Sequence, residues 1–416
     1  MPHEQVARHQ KARLEGAMVE AVARHGYAGT TLKELVSLAG VSKSTFYDHF
    51  ESKQDCFLAT FDEIVNQVSV RVGEAYRQPG DFREQLIAGL GTFMELAVDE
   101  PAAASLVAVE SLTLGAAGVA HRERGSQAFE VLIQQSFDHS PSEHRVSAVT
   151  VRAIVAGIRG VAYRHLRSGR GAQLPGLVEE LVDWALYYQR KESAVVARAT
   201  KAAEKPLAKP PPPPSDEPGW EEPPDSPRSR SELSQRDRIV RAAAHAVVEN
   251  GYQALSIPAI SGAAGVSNQT FYEHFKNKRD PFLAAFEVLA AEALGATAEA
   301  FADQGDKAEA IGVAVRTLLE HIAGNQLFAR LAFFELPTAG PVALDRADAI
   351  LDSFSAFLEP GMAPSEVGGT PSKTVLAAIP SGCWAVIQHE INEGRLDSLP
   401  RMAPEITRIA LVPAAG

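Results

Sequence analysis

The chain has 416 residues, more than one hydrophobic core commonly supports, so at least two domains are expected. An apolar share of 45% and a charged share of 22% fit a soluble globular protein; no apolar run approaches the roughly 20 residues of a membrane span, and the first residues lack the pattern of a signal peptide. Cys56 and Cys383 alone make neither a disulfide framework nor a metal-ligand spacing, which points to a reducing cytoplasm.

The net charge of −12 would argue against a phosphate-binding protein if it were evenly spread, and it is not. Residues 228–280 hold eight basic against five acidic residues, whereas 281–416 hold eight against seventeen.

In chain order, Leu14, Ala17, Met18, Ala21 and Val22 recur at helical spacing and predict an amphipathic first helix, ended by Gly26. Thr31 and Glu34 are spaced as a capping box for a short second helix. Ala39-Gly40-Val41 supplies a tight turn, and Ser42 is a natural N-cap for a third helix with Phe46 and Phe50 facing inward. Ser52 and Asp55 cap a fourth. Further on, Val151, Ile154, Val155, Ile158 and Ala162 form one apolar stripe, and Leu177, Leu181, Trp184, Ala185 and Tyr188 another. No stretch alternates as a strand, so the expected fold class is all-α.

From Glu192 to Ser234 the composition turns to Pro, Ser and charge, as in KPLAKPPPPPSDEPGWEEPPDSPRSR. Such a segment is expected to stay extended and unpacked, a spacer rather than a ligand for a polyproline-binding domain. A flexible chain of about 30 residues reaches roughly 30 Å, enough for flanking domains to meet.

After it the first pattern returns. Arg13–Phe61 aligns without a gap on Arg238–Phe286 at an offset of 225, which carries Tyr27 onto Tyr252, with about twenty of forty-nine positions identical. The densest match sets GVSKSTFYDHFESKQDCFLATF against GVSNQTFYEHFKNKRDPFLAAF. Ile239, Ala242, Ala243, Ala246 and Val247 repeat the first stripe, Gly251 the C-cap, Ser267 the third N-cap, Phe271 and Phe275 the inward pair, and Asn277 with Asp280 the fourth cap. The register holds through Leu106/Leu331, Glu110/Glu335 and Gly115/Gly340; one residue is then lost, and Thr150 aligns with Thr374 and His165 with His389. Two departures stand out. Pro380 falls inside the penultimate helix of the second copy and should kink it, and the last helix of that copy ends at Leu411-Val412 while its counterpart runs past Tyr188.

GVSKSTFYDHFESKQDCFLATF and its second copy resemble the helix-turn-helix signature of the tetracycline-repressor (TetR) family over about fifty residues each. The likeness is fainter in GIRGVAYRHLRSGR and SGCWAVIQHEINEGR. The resemblance implies a three-helix DNA-binding head, a connecting fourth helix, and a helical body that senses a small molecule and dimerises through its last two helices. It thus implies a DNA-binding head at 1–60, a sensor and dimerisation body at 61–191, the linker at 192–234, a second head at 235–285 and a second body at 286–416. A chain with both copies is expected to fold as an intramolecular pseudo-dimer, with further homo-oligomerisation left open. The implied function is that of a ligand-responsive repressor on a double-stranded DNA operator, its effector small and largely apolar. The alternative is a DNA-binding protein that is constitutive or answers to a protein partner.

A recognition helix in the major groove reads bases with its exposed N-terminal side chains. Here these are Lys43, Ser44, Thr45 and Tyr47 in the first copy, and Asn268, Gln269, Thr270 and Tyr272 in the second. The resemblance places the tyrosines, His49, His274, Lys53 and Lys278 at or near phosphates, and Thr31 is a further candidate DNA contact. Each lysine also stands at a helix N-terminus, whose free N–H groups favour an anion. For the two histidines a structural role is the competing reading. In the bodies, Glu110 and Glu335 each interrupt an apolar helix at the same repeat position, and such a carboxylate must find a donor or face water. The second body is the richer in aromatic residues, and Phe333, Phe334, Glu335, Phe354 and Trp384 are its candidate effector contacts. Cys383 and His389 are not on a common helix face, and neither a carboxylate cluster nor a Gly-rich phosphate loop accompanies them, so no enzyme, cofactor or metal is indicated.

Overall fold

The computed structural model describes residues 3–140, 142, 144–207, 220, 225–358 and 371–412. Their regular structure is helical throughout. The chain divides into two compact units, Met1–Arg190 with Ser372–Ala378, and Lys191–Pro371 with Ile379–Gly416.

In the first unit α1 (His3–Gly29), α2 (Leu32–Ala39) and α3 (Lys43–His49) form a head, and α4 (Lys53–Tyr76) leads away from it. The body follows as α5 (Phe82–Asp99), α6 (Pro101–Ala108), a 3-10 turn at Glu110–Leu114, α7 (Gly115–His139), α8 (Ala148–Arg167) and α9 (Val178–Tyr187). Leu14, Met18, Leu35, Phe46, Phe57 and Phe61 are fully or almost fully buried in one cluster, and Leu106 of α6 belongs to it. Head and body therefore share a core, so a displacement of α6 is felt at α1.

The second unit opens with α10 (Ala194–Glu204) and α11 (Pro227–Glu232). Its head is α12 (Gln235–Asn250), α13 (Ile257–Ala264) and α14 (Asn268–His274), followed by α15 (Arg279–Ala302), α16 (Lys307–Gly324) and α17 (Gln326–Arg330). A π-helical turn at Leu331–Glu335 and a 3-10 turn at Leu336–Ala339 then lead to α18 (Pro341–Leu358), α19 (Lys373–Asn392) and α20 (Ala403–Leu411). The π turn displaces the helical ladder, and Gln388 Nε2 donates to the carbonyl of Phe333 there.

Several expectations need correction. Residues 192–234 are not an unpacked spacer throughout. Val196, Ala199 and Ala203 give α10 an apolar face, buried against α16 and α20, with Ser193 as N-cap. A Cβ at Gly312 of α16 would lie 2.0 Å from the carbonyl oxygen of Ala199, so the two backbones touch where only glycine fits. Trp220 is held as well: its indole N–H donates to Glu292 Oε1 at 3.4 Å, and the Arg241 guanidinium lies 4.9 Å from its ring. The Pro run itself, 208–219, lies outside the described residues. The two last helices end at the same register position, since α9 ends at Tyr187 and α20 at Leu411. Pro380 lies inside α19, as its place in the penultimate helix led one to expect. Finally, two helical stretches, 101–139 and 279–302, are long and apolar enough to cross a membrane, contrary to the composition reading. The first is broken at Glu110–Leu114 and by Gly115, whose φ is 58°. The second buries Phe282, Phe286 and Leu289 inside its unit.

Candidate DNA-binding interface and effector cavities

The two heads are built by the same local rules. Thr31 caps α2, accepting the Glu34 N–H at 3.2 Å, and Ser256 caps α13, accepting that of Ala259 at 3.4 Å. Gly40 and Gly265 end these helices in the left-handed region, at φ 60° and 63°, which turns the chain sharply into the third helix. Ser42 then accepts the Thr45 N–H, and Ser267 that of Thr270, each at 3.0 Å. Phe46 and Phe271 are completely buried, which fixes the rotation of α3 and α14 and turns their opposite faces outward.

On those faces Lys43 and Ser44 are exposed, as are Asn268 and Gln269. Tyr47 is 53% exposed and Tyr272 60%, far more than an aromatic ring with only a packing role. Thr45 and Thr270 are half-buried, their hydroxyls 2.9 and 3.0 Å from those of Ser42 and Ser267. Thr31 is exposed at the start of α2. The histidines part company: His274 is exposed, whereas His49 is half-buried with Nε2 3.4 Å from Gln10 Oε1 of α1.

The lysines do not sit as expected. Lys53 Nζ donates to the carbonyls of Tyr27 and Thr30 at 2.8 and 2.9 Å and lies 4.2 Å from the Tyr27 ring centroid. Lys278 Nζ repeats this, donating to Tyr252 and Leu255 at 3.2 and 2.9 Å. Burial lowers the pKa of both ammonium groups. Each side chain turns inward onto the segment that ends α1 or follows α12, where the Tyr27 and Tyr252 carbonyls also accept the backbone N–H of Thr30 and Leu255. The cation here closes the head, and the backbone N–H groups stand at these same helix starts.

Glu110 and Glu335 find donors in the same place. Glu110 Oε2 accepts the backbone N–H of Tyr27 at 2.8 Å, and Glu335 Oε2 that of Tyr252 at 3.1 Å. Gly26 and Gly251, at φ 67° and 79°, turn those amides toward the carboxylates. One peptide segment in each head is therefore gripped from both sides, by a carboxylate from the body on its N–H and a lysine on its carbonyls.

Each body contains a cavity. That of the first is roughly 200 Å³, walled by α4, α5, α7 and α8 with Phe93 and Phe129 edge to face at 6.1 Å. Its polar wall includes Arg122, Ser126 and Arg159, which the sequence reading did not single out. The second is roughly 90 Å³. Phe333, Phe354 and Trp384 line it, Phe333 and Trp384 stacked at 4.0 Å. Phe334 and Glu335 are not in its wall. Neighbours on a helical turn point in different directions, and the Glu335 carboxylate is committed to the head. The body expected to hold the effector thus has the smaller cavity.

Residues 16–60 and 239–285 each match the model of the bacterial regulatory proteins of the tetR family. The chain is 33% identical over 79 residues to the HTH-type transcriptional activator FasR of Mycolicibacterium smegmatis, covering 19% of this chain and 36% of that protein. It is 30% identical over 70 residues to the fatty acid metabolism regulator protein of Bacillus subtilis, covering 17% and 36%. Among solved structures, the transcriptional regulator FadR from Bacillus subtilis in complex with stearoyl-CoA is similar at 15% identity and a TM-score of 0.39, with 42% of this chain and 98% of that one covered. The chain spans about a third of the length of the curated relatives it matches. Each of its two heads matches the DNA-binding domain of the tetR family, which the chain therefore carries twice.

Proposed function

We propose that the protein is a sequence-specific transcriptional regulator whose two fused halves act as an intramolecular pseudo-dimer on an operator with two different half-sites, and that a small, largely apolar effector releases it. One observation carries the reading. The serine caps present α3 and α14 alike, yet one exposes Lys43-Ser44 and the other Asn268-Gln269. Lysine suits guanine O6 and N7, and Asn or Gln suits adenine N6 and N7, so the two helices read different bases. The larger cavity supports the first body as the effector site, since a ligand there touches the helices that carry the shared core and Glu110. FasR, named as a transcriptional activator, and the Bacillus subtilis regulator support regulation as the role.

Selection from random duplex DNA followed by footprinting tests the reading. Two unlike half-sites centred about 34–36 Å apart are expected. A perfect palindrome overturns the asymmetric operator. Light scattering of the complex should return one chain of 44.5 kDa per duplex, and a stable two-chain particle with four heads on DNA overturns the pseudo-dimer.

A further inference from the structure

The cavity of the first body is apolar except for one feature that apolar ligands do not need. Arg122, on α7, and Arg159, on α8, both line it and are half-buried. Arg159 donates to Ser126 Oγ, while the Nε of Arg122 is buried without a hydrogen-bond partner. Glu123 acts electrostatically on both guanidinium groups and Glu130 on Arg159, while Glu130 is itself paired with Arg152 at 3.5 Å. Burial and mutual repulsion both disfavour the charge on Arg122, yet arginine does not give up its proton under ordinary conditions. Two guanidinium groups set side by side in an apolar cavity carry an electrostatic cost that an anion joining them relieves.

The internal repeat provides the comparison. In register from Gly115/Gly340, Arg122 falls on Ala347 and Ser126 on Leu351; in register from Thr150/Thr374, Arg159 falls on Cys383. Leu351 and Cys383 line the second cavity. The same place in the same fold is therefore cationic in one copy and neutral in the other, and packing alone does not require the arginines.

We propose that the first cavity binds an anionic amphiphile, a carboxylate or phosphate head on an apolar tail, whose head is held by Arg122 and Arg159. The tail lies along the aliphatic and aromatic wall between α4 and α5, where the cavity has room for on the order of a dozen water-sized groups. The head takes the guanidinium groups of Arg159 and Arg122, donors suited to either oxyanion. Arg71 and Glu100, exposed and 3.9 Å apart, mark the rim. The proposal deepens the effector reading above and depends on it only for the link to DNA.

Calorimetry on the full chain with dodecanoate, dodecyl phosphate and dodecanol tests it. At least one anion should bind tenfold or more tighter than the alcohol, and the stronger of the two identifies the head group. Arg122→Met with Arg159→Met should erase that preference, leave dodecanol binding unchanged, and raise the melting temperature of the free protein. If the double variant does not fold, Arg159→Gln should weaken the anion about tenfold and Arg159→Lys much less. Equal binding of alcohol and anions, or anion binding that survives loss of both arginines, overturns the proposal. Anisotropy on the selected operator separates the two readings. Release by dodecanol as effective as by the anions keeps the effector role and removes the anion site. Arginine-dependent anion binding without any change in DNA affinity keeps the site and removes the effector role.

Discussion

The Glu110 carboxylate accepts the backbone N–H of Tyr27 at 2.8 Å, across 83 residues of chain, and so ties the turn after α6 to the end of α1. A hydrogen bond to a charged group is worth roughly 1.5–3 kcal/mol. Glu110→Leu should lower stability by about that amount and loosen the head. Urea unfolding should show the loss, and hydrogen exchange should show faster exchange at the Tyr27 amide. Glu110→Gln keeps an acceptor and should recover part of it. A Tyr27 amide equally protected in both variants would mean that the body does not grip the head here.

Lys53→Ala and Lys278→Ala provide the sharpest contrast with the phosphate reading. Lysines on phosphate would each flatten the salt dependence of DNA binding by about one unit of slope. Lysines on the carbonyls of Tyr27 and Tyr252 should leave the slope unchanged and cost about 1–3 kcal/mol of stability. Titrations at several salt concentrations, paired with urea unfolding, decide between them.

Replacing Asn268 and Gln269 with Lys and Ser makes the exposed N-terminal positions of α14 those of α3. The selected operator should move toward a symmetric site, with each changed base contact discriminating by roughly 1–3 kcal/mol. Repeating the selection on this variant checks it; an unchanged operator would place base reading elsewhere.

His321 of α16 stands where the first copy has Leu96. Its Nε2 is buried without a hydrogen-bond partner, and burial lowers its pKa below the ordinary histidine value. The unfolded chain therefore takes up the proton more readily than the folded one. Stability should be fully present above an ordinary pKa of about 6.5 and should fall as the pH drops through it toward the folded value. His321→Leu should remove that part of the pH dependence in urea midpoints measured from pH 8 to pH 5, and an unaltered profile would exclude the histidine as its source.

Gly312→Val should expel α10 from its seat, since an added Cβ would lie 2.0 Å from the Ala199 oxygen. Overpacking of this kind typically costs about 1–3 kcal/mol. Limited proteolysis should then cut residues 194–204 early. The same substitution at Gly262, whose Cβ would meet nothing within 4 Å, is the control for the glycine change itself.

The heads were legible because their determinants are local. A left-handed glycine, a serine three residues before the amide it caps, and an inward phenylalanine one turn on define the motif within about fifteen residues. What the sequence hid depends on direction and distance. A long lysine side chain at a helix start can reach out to a phosphate or back to a carbonyl, and spacing does not say which. Glu110 was conspicuous on an apolar helix, but its donor lies on another element. The apolar spacing of Val196, Ala199 and Ala203 was present in the sequence and was masked by the Pro-rich composition around it. Arg159 carried a signal too: it follows the buried Val155, Ile158 stripe directly, where a charged residue must either escape to solvent or face a cavity.

The placement of α10 changes what the Pro-rich segment can do. The chain passes from one unit to the other at Arg190/Lys191, ahead of the prolines, so the Pro run joins α10 to α11 and α12 of the same unit. A nick within 208–219 would leave the N-terminal fragment holding a helix that completes the C-terminal fragment. The cut chain would behave as a split protein whose pieces are kept together by a complementing helix.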